Sequence, residues 1–221
     1  CSGSVLWQYN DMWPAISWAV LDSASSRKLS WYAMREAYRP RVLHFSGVER
    51  KLILINDTSQ VWNQTLKVWL VSQDGQVLES ASRDVRLDAR SQSSFALGEL
   101  FAFSDIASVD GYLIGELDGI RTARRILDSA VRKVCPHNVE LAAQILGNCV
   151  KVHVSANCFI HELSLLPELV ALDRVEVSQE RITLLPGEEI DLLIDCSTSD
   201  DAQRVAGEIE SITWSLNRLM N

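Results

Sequence analysis

The stretch LWQYNDMWPAISW, Leu6 to Trp18, sets three of the chain's seven tryptophans beside Gln8, Asn10 and Asp11. Those residue types together have a definite chemistry. An indole at a strand end offers a flat apolar face on which the C–H face of a pyranose packs, and amide and carboxylate groups hydrogen-bond its hydroxyls. Trp7, Gln8, Asn10, Asp11 and Trp13 are therefore the candidate ligand-binding residues. The competing reading makes the tryptophans core residues beneath a loop. Composition does not separate the two for Trp7; for Trp18 and Trp31 the core is the expectation.

Other chemistry-bearing residues point nowhere in particular. No P-loop, dinucleotide fingerprint, Gly-x-Ser-x-Gly elbow or His-Glu-x-x-His helix occurs. Cys135/His137, Cys149/His153 and Cys158/His161 lack the spacing of paired zinc knuckles, and buried thiols with edge histidines are the expectation, with no metal and no cofactor. The acid pairs Glu116/Asp118 and Glu188/Glu189 lie beside turns and read as solvated charge.

The 221 residues suffice for one large domain or two smaller ones, and 47% hydrophobic with 23% charged is ordinary globular composition. A net charge of −8 disfavours nucleic acid and anionic membrane as partners. No apolar run reaches the roughly 18 residues of a membrane span. Five cysteines, an odd and irregularly spaced set, read as free thiols, which leans toward a reducing, cytoplasmic setting. The chain starts with Cys1 in the middle of an apolar pattern, so it reads as a piece of something longer.

Ser4–Trp7 reads as a short strand, followed by a loop centred on residues 10–14 and the polar turn DSASSRK. LSWYAMREAYR then has helical spacing at Ala33, Met34, Ala37 and Tyr38, and Pro40 stops it. From residue 42 the period becomes that of strands. VLHFSG, KLILIN, LKVWLVS, QVLESA, DVRLDA, SSFALGEL and GYLIGEL are seven strand-length runs separated by turn signals, with Asp74-Gly75 the clearest hairpin. This pattern fits an immunoglobulin-like sandwich. Ile120, Ala123, Leu127, Ala130 and Val134 share one helical face, which predicts a crossing segment or short helix over 118–138. A second β-rich region follows, from VELAAQIL to EIDLLIDC, with Pro186-Gly187 turning its last two strands; the final segment fits a helix or a closing strand, SITWSL, equally.

The run Trp7, Gln8, Asn10, Asp11, Trp13, Ser17, Trp18 and Ala19, followed by Lys28, Tyr32, Ala33 and Pro40, resembles the end of the catalytic barrel of family 2 glycoside hydrolases, specifically the β-mannosidase branch. The exo-glucosaminidase relatives typically carry Asn-Asn where this chain has Asn10-Asp11. ITLLPGEEIDLLI is similar, more weakly, to the closing hairpin of that family's last immunoglobulin-like domain.

The resemblance implies a mostly β chain: the last strand–loop–helix unit of a TIM barrel at residues 1–41, then two immunoglobulin-like sandwiches at 42–134 and 135–221. It implies a retaining exo-glycosidase acting on terminal β-D-mannosides, with Trp7 as the platform under the sugar and Gln8, Asn10, Asp11 and Trp13 around it. The family's acid/base follows an asparagine as Asn-Glu, and no Asn-Glu occurs here. The expectation is that both catalytic carboxylates belong to a separate or preceding part of the enzyme, which is this chain's partner besides the carbohydrate. The alternative is a non-catalytic sandwich module that binds carbohydrate or protein.

Overall fold

The computed structural model describes residues 4–47, 50–102, 106–126, 138–172 and 174–219. After an extended opening segment, helix α1 (Leu29–Ala37) forms from good helix formers. It buries Tyr32 and ends on a hydrogen bond from Tyr38 N to Met34 O, 2.9 Å, two residues short of Pro40.

The first sandwich holds β1 (Arg41–Ser46), β2 (Lys51–Asn56), β3 (Trp62–Ser72), β4 (Val77–Leu87), β5 (Ser91–Ala96), the short α2 (Leu97–Leu100), β6 (Gly111–Leu117) and β7 (Ile120–Arg125). Its sheets run β1-β2-β5 and β4-β3-β6-β7, all antiparallel. In immunoglobulin lettering these are A-B-E and C′-C-F-G. Leu43, Phe45, Leu52 and Leu54 from one sheet meet Leu66, Val68, Leu113 and Leu117 from the other.

Two expectations are corrected here. QVLESA and DVRLDA form one eleven-residue strand, β4, because no glycine or proline separates them. Ile120–Arg125 is not helical: it is β7, paired to β6 through a turn at Asp118 and Gly119 whose φ angles are +55° and +73°. Two successive positive φ values make a type I′ hairpin turn, for which Asp-Gly is a favoured sequence. Leu127, Ala130 and Val134 lie outside the described residues.

The second sandwich holds β8 (Val139–Leu146), β9 (Cys149–Ala156), β10 (Ile160–Leu165), β11 (Val175–Val177), β12 (Ile182–Leu184), β13 (Glu189–Cys196) and β14 (Thr213–Trp214). Its sheets run β11-β13-β9-β8 and β12-β10-β14. The final segment takes both predicted forms: α3 (Ser199–Gly207) and α4 (Ile209–Ile212) precede β14, and α5 (Leu216–Leu219) follows. Thr198 caps α3 by accepting from Asp201 N at 3.1 Å. Ala202 and Val205 close the core over Val150, Val152, Ile194 and Leu163.

Strand β6 is buried on both faces, which explains why GYLIGEL is apolar at every position but Glu116. Leu113 and Leu117 face the first core, while Tyr112 and Ile114 pack with Val71, Phe159 and Leu185 between the sandwiches. The Tyr112 and Phe159 rings lie 4.6 Å apart. Gly75, at φ +91° in the β3–β4 turn, lies where an added Cβ would come 2.6 Å from Phe159 Cβ, so glycine is required there for conformation and space alike. Arg121 adds a polar tie. Its guanidinium reaches Glu116 Oε2 at 2.5 Å, Glu188 Oε2 at 2.5 Å and the Thr183 carbonyl at 3.0 Å. Glu116 and Glu188, expected as solvated charge, are thus half-buried partners of one cation.

Candidate functional site

Ser4–Trp7 carries no strand pairing; a strand needs a neighbour, and the described chain offers it none. From Tyr9 onward the segment folds back on itself. Val20 N and Leu21 N both donate to Tyr9 O, at 3.1 and 3.0 Å, and Asp11 N donates to Leu21 O at 3.1 Å. Lys28 N donates to Val20 O at 2.9 Å, joining this loop to the start of α1. The polar turn is an Asx turn: Asp22 Oδ1 accepts from Ala24 N and Ser26 N at 2.9 and 2.8 Å.

Asp11 organises the loop from within. It is 5% exposed and takes Lys28 Nζ at 2.8 Å on one oxygen and Ser17 Oγ at 2.5 Å on the other. Ser17 Oγ in turn accepts from Ala19 N at 3.0 Å. The Lys28 hydrogen bond first, then that of Ser17, holds the Asp11 carboxyl below the usual carboxylate range. Asn10 Nδ2 donates to Asp11 O at 3.2 Å.

The apolar members point outward. Trp7 is 75% and Trp13 68% exposed, with Val5, Tyr9, Met12 and Ile16 exposed beside them. Gln8 is half-buried and Asn10 exposed. The core reading fails for Trp18, which is 69% exposed because Ala19 and Val20, not the indole, take the inward positions. Trp31 is half-buried, with the Arg27 guanidinium 4.4 Å from its ring centroid and Tyr32 meeting it edge-on at 5.2 Å. A groove of about 700 Å³ runs from Tyr9 past Arg27 and Trp31 to Arg174 and Glu176 of the second sandwich.

Two carboxylates of the loop are already committed to partners within it. A general acid must hold a proton near working pH. Asp11 is ionised and doubly bonded, and Asp22 is consumed by its turn. Among the described residues no cluster of three or more metal-ligating side chains occurs. His153 Nδ1 instead lies 2.9 Å from Asp191 Oδ1, and His161 packs against Tyr112 and Phe159 with burial lowering its pKa. Cys149, Cys158 and Cys196 form no disulfide.

One prediction follows from the Asp11 contacts. A carboxyl whose folded pKa is depressed contributes stability above its unfolded value, near 4, and loses it as pH falls through the folded value. Acidification below about pH 4 should therefore lower protection against hydrogen exchange, corrected for intrinsic rate, at the Asp11 and Leu21 amides before the sandwich cores open. Lys28→Met should produce the same local loosening at neutral pH, with exchange in β9 and β13 unchanged.

No family model matches the chain. Among curated proteins it is similar to β-mannosidase B of Emericella nidulans, 41% identical over 51 residues, and to that of Aspergillus niger, 45% identical over 51 residues. Each match covers 23% of this chain and 6% of the relative, so the chain matches only a small part of their length. Among solved structures it shares its fold with a portion of the Dictyoglomus thermophilum β-D-mannosidase, at TM-score 0.69 and 18% identity over 97% of this chain and 26% of that one. The Amycolatopsis orientalis exo-chitosanase CsxA aligns at TM-score 0.68 and 15% identity, over 89% of this chain and 28% of that one.

Proposed function

We propose that this chain is the C-terminal portion of a family 2 glycoside hydrolase of the β-mannosidase branch, removing terminal β-D-mannosyl units with retention of configuration. Residues 1–41 contribute the last strand–loop–helix unit of the catalytic barrel, and 42–134 and 135–221 form the accessory sandwiches. The observation that carries this reading is the exposed apolar surface of the opening segment. Val5, Trp7, Tyr9, Met12, Trp13, Ile16 and Trp18 are between 58% and 107% exposed. Within this patch Tyr9 is anchored through its carbonyl to the Val20 and Leu21 amides, and the other side chains flank that pairing. Soluble chains rarely leave a patch of that kind uncovered, and such patches mark interaction surfaces.

The rest of the barrel supplies the cover and the two carboxylates that retaining hydrolysis needs. Trp7 then forms the platform under the terminal sugar, with Gln8, Asn10 and Trp13 along its edge. Asp11 sits behind them; it touches the sugar only by giving up Lys28 or Ser17, and otherwise serves by holding the rim in shape. The local identity to β-mannosidases supports the mannoside branch.

The test in the isolated chain is calorimetric titration with mannose and manno-oligosaccharides. An incomplete site predicts no heat beyond dilution at millimolar sugar. Tight binding without the barrel would instead favour a stand-alone carbohydrate-binding sandwich.

A further inference from the structure

Helix α1 is seated on the second sandwich by a cluster that the sugar site does not use. Tyr32, 0% exposed, donates its hydroxyl to Glu168 Oε1 in the 3-10 turn Pro167–Leu169. Behind that contact lies Glu180, between β11 and β12 and 3% exposed. Its Oε2 accepts from Leu165 N at 3.2 Å, whereas its Oε1, fully buried, has no hydrogen-bond partner. A buried carboxylate with one oxygen lacking a donor is expensive, and a second carboxylate beside it makes it more so.

We propose that Glu180 is kept uncharged behind the Tyr32–Glu168 contact, and that its ionisation releases α1 from the second sandwich and with it the loop that Lys28 holds. Glu168 and Glu180 are thereby positioning residues for the opening segment. The groups facing Glu180 decide its state. From β10 come the Ser164 hydroxyl and the Leu165 amide; from the 3-10 turn comes Glu168; from α1 come Tyr32 and Arg35. Glu36 and Arg39 of α1, with Arg181 of the Glu180 loop, line the neighbouring cavity. Of the cations, Arg35 lies over the Trp31 and Tyr32 rings, Arg39 is paired to Glu36 at 2.7 Å and Arg181 to Glu162 at 2.5 Å, so none neutralises Glu180 directly. Burial first, then the Glu168 charge, pushes Glu180 up to about 8 against the opposing pull of Ser164, Leu165 N and Arg35. Tyr32 keeps its proton far above that range, so it remains a donor throughout.

The path to the site is short. Lys28 is the residue before α1; its amide bonds Val20 O and its ammonium holds Asp11. Glu180 holds its proton to higher pH folded than unfolded, so the stability it contributes is full below the ordinary glutamate range and declines as pH rises to about 8. Above that, a buried Glu180 charge faces the half-buried Glu168 charge, and parting α1 from the sandwich admits the water that Glu180 requires.

The experiment uses this chain alone, so it stands or falls independently of the proposed sugar; only the consequence for catalysis rests on that reading. Carbon-13 NMR of the glutamate carboxyls should show Glu180 titrating with a midpoint of about 8. Hydrogen exchange, corrected for intrinsic rate, should show protection of the Tyr38 and Lys28 amides falling roughly tenfold or more between about pH 6.5 and 9.5, with β9 unchanged. Glu180→Gln keeps the shape and removes the charge, so in that variant the fall should vanish. A Glu180 midpoint below about 6, or the same loss of protection in Glu180→Gln, would overturn the proposal. Should the variant fail to fold, the wild-type titration decides alone.

Discussion

Trp7→Ala, tested with the rest of the barrel in place, is expected to lower kcat/KM on an aryl β-mannoside about thirtyfold, the equivalent of roughly 2 kcal/mol of lost apolar contact. The indole is 75% exposed and so gives up little buried contact within this chain. Removing it therefore leaves no cavity, and the thermal midpoint of the isolated chain should stay within a degree or so. A large kinetic effect without a stability effect separates a platform from a core residue. Trp7→Phe keeps a smaller face and should recover part of the rate. Trp13→Ala, at the edge of the same surface, should cost less.

The largest stability effect is expected at Trp62. It is among the largest fully buried side chains, its indole nitrogen donates to Asp118 Oδ2 at 3.1 Å, and Arg41, itself paired to Asp118 at 3.1 Å, lies 5.3 Å from its ring. Trp62→Ala deletes a bicyclic side chain at the end of the first core, and substitutions of that kind typically cost about 3–5 kcal/mol. For about 200 residues that is a fall of roughly 10 °C in thermal midpoint, readable by calorimetry. Trp62→Phe should cost less: it keeps much of the packing, and the Asp118 carboxylate it leaves behind retains Arg41.

The strands were legible wherever alternation and turn residues agreed. KLILIN, GYLIGEL, VELAAQIL, CVKVHVSA and EIDLLIDC form strands with those bounds. The region after Leu117 misled because IRTARR also fits a helical face, and periodicity over six residues cannot separate the two. Asp118-Gly119 was the stronger signal: an Asp-Gly pair fixes a hairpin through backbone sterics whatever the flanking pattern. The acid pairs misled for another reason. Glu116 and Glu188 lie 72 positions apart, and only the packing of two sandwiches brings both to Arg121.

Within the candidate site, composition left Trp7 open between surface and core, and it gave no sign of the inward turn of Asp11. Its partners, Ser17 and Lys28, sit six and seventeen residues on, and their convergence depends on the Tyr9–Leu21 backbone pairing. Glu180 was equally hidden. Nothing in its neighbours distinguishes a solvated glutamate from one sealed behind a helix that arrives from the other end of the chain.

The central claim is that the exposed opening segment completes a sugar site whose catalytic half lies on other residues. The most direct measurement mixes this chain with the barrel portion of a β-mannosidase that stops short of the last strand–loop–helix unit, and follows hydrolysis of an aryl β-mannoside. The account predicts activity in the mixture well above that of either part, with quenching of the exposed tryptophans suppressed as the parts associate. Activity no greater than that of the barrel portion alone, with the tryptophans as accessible as before, would contradict it.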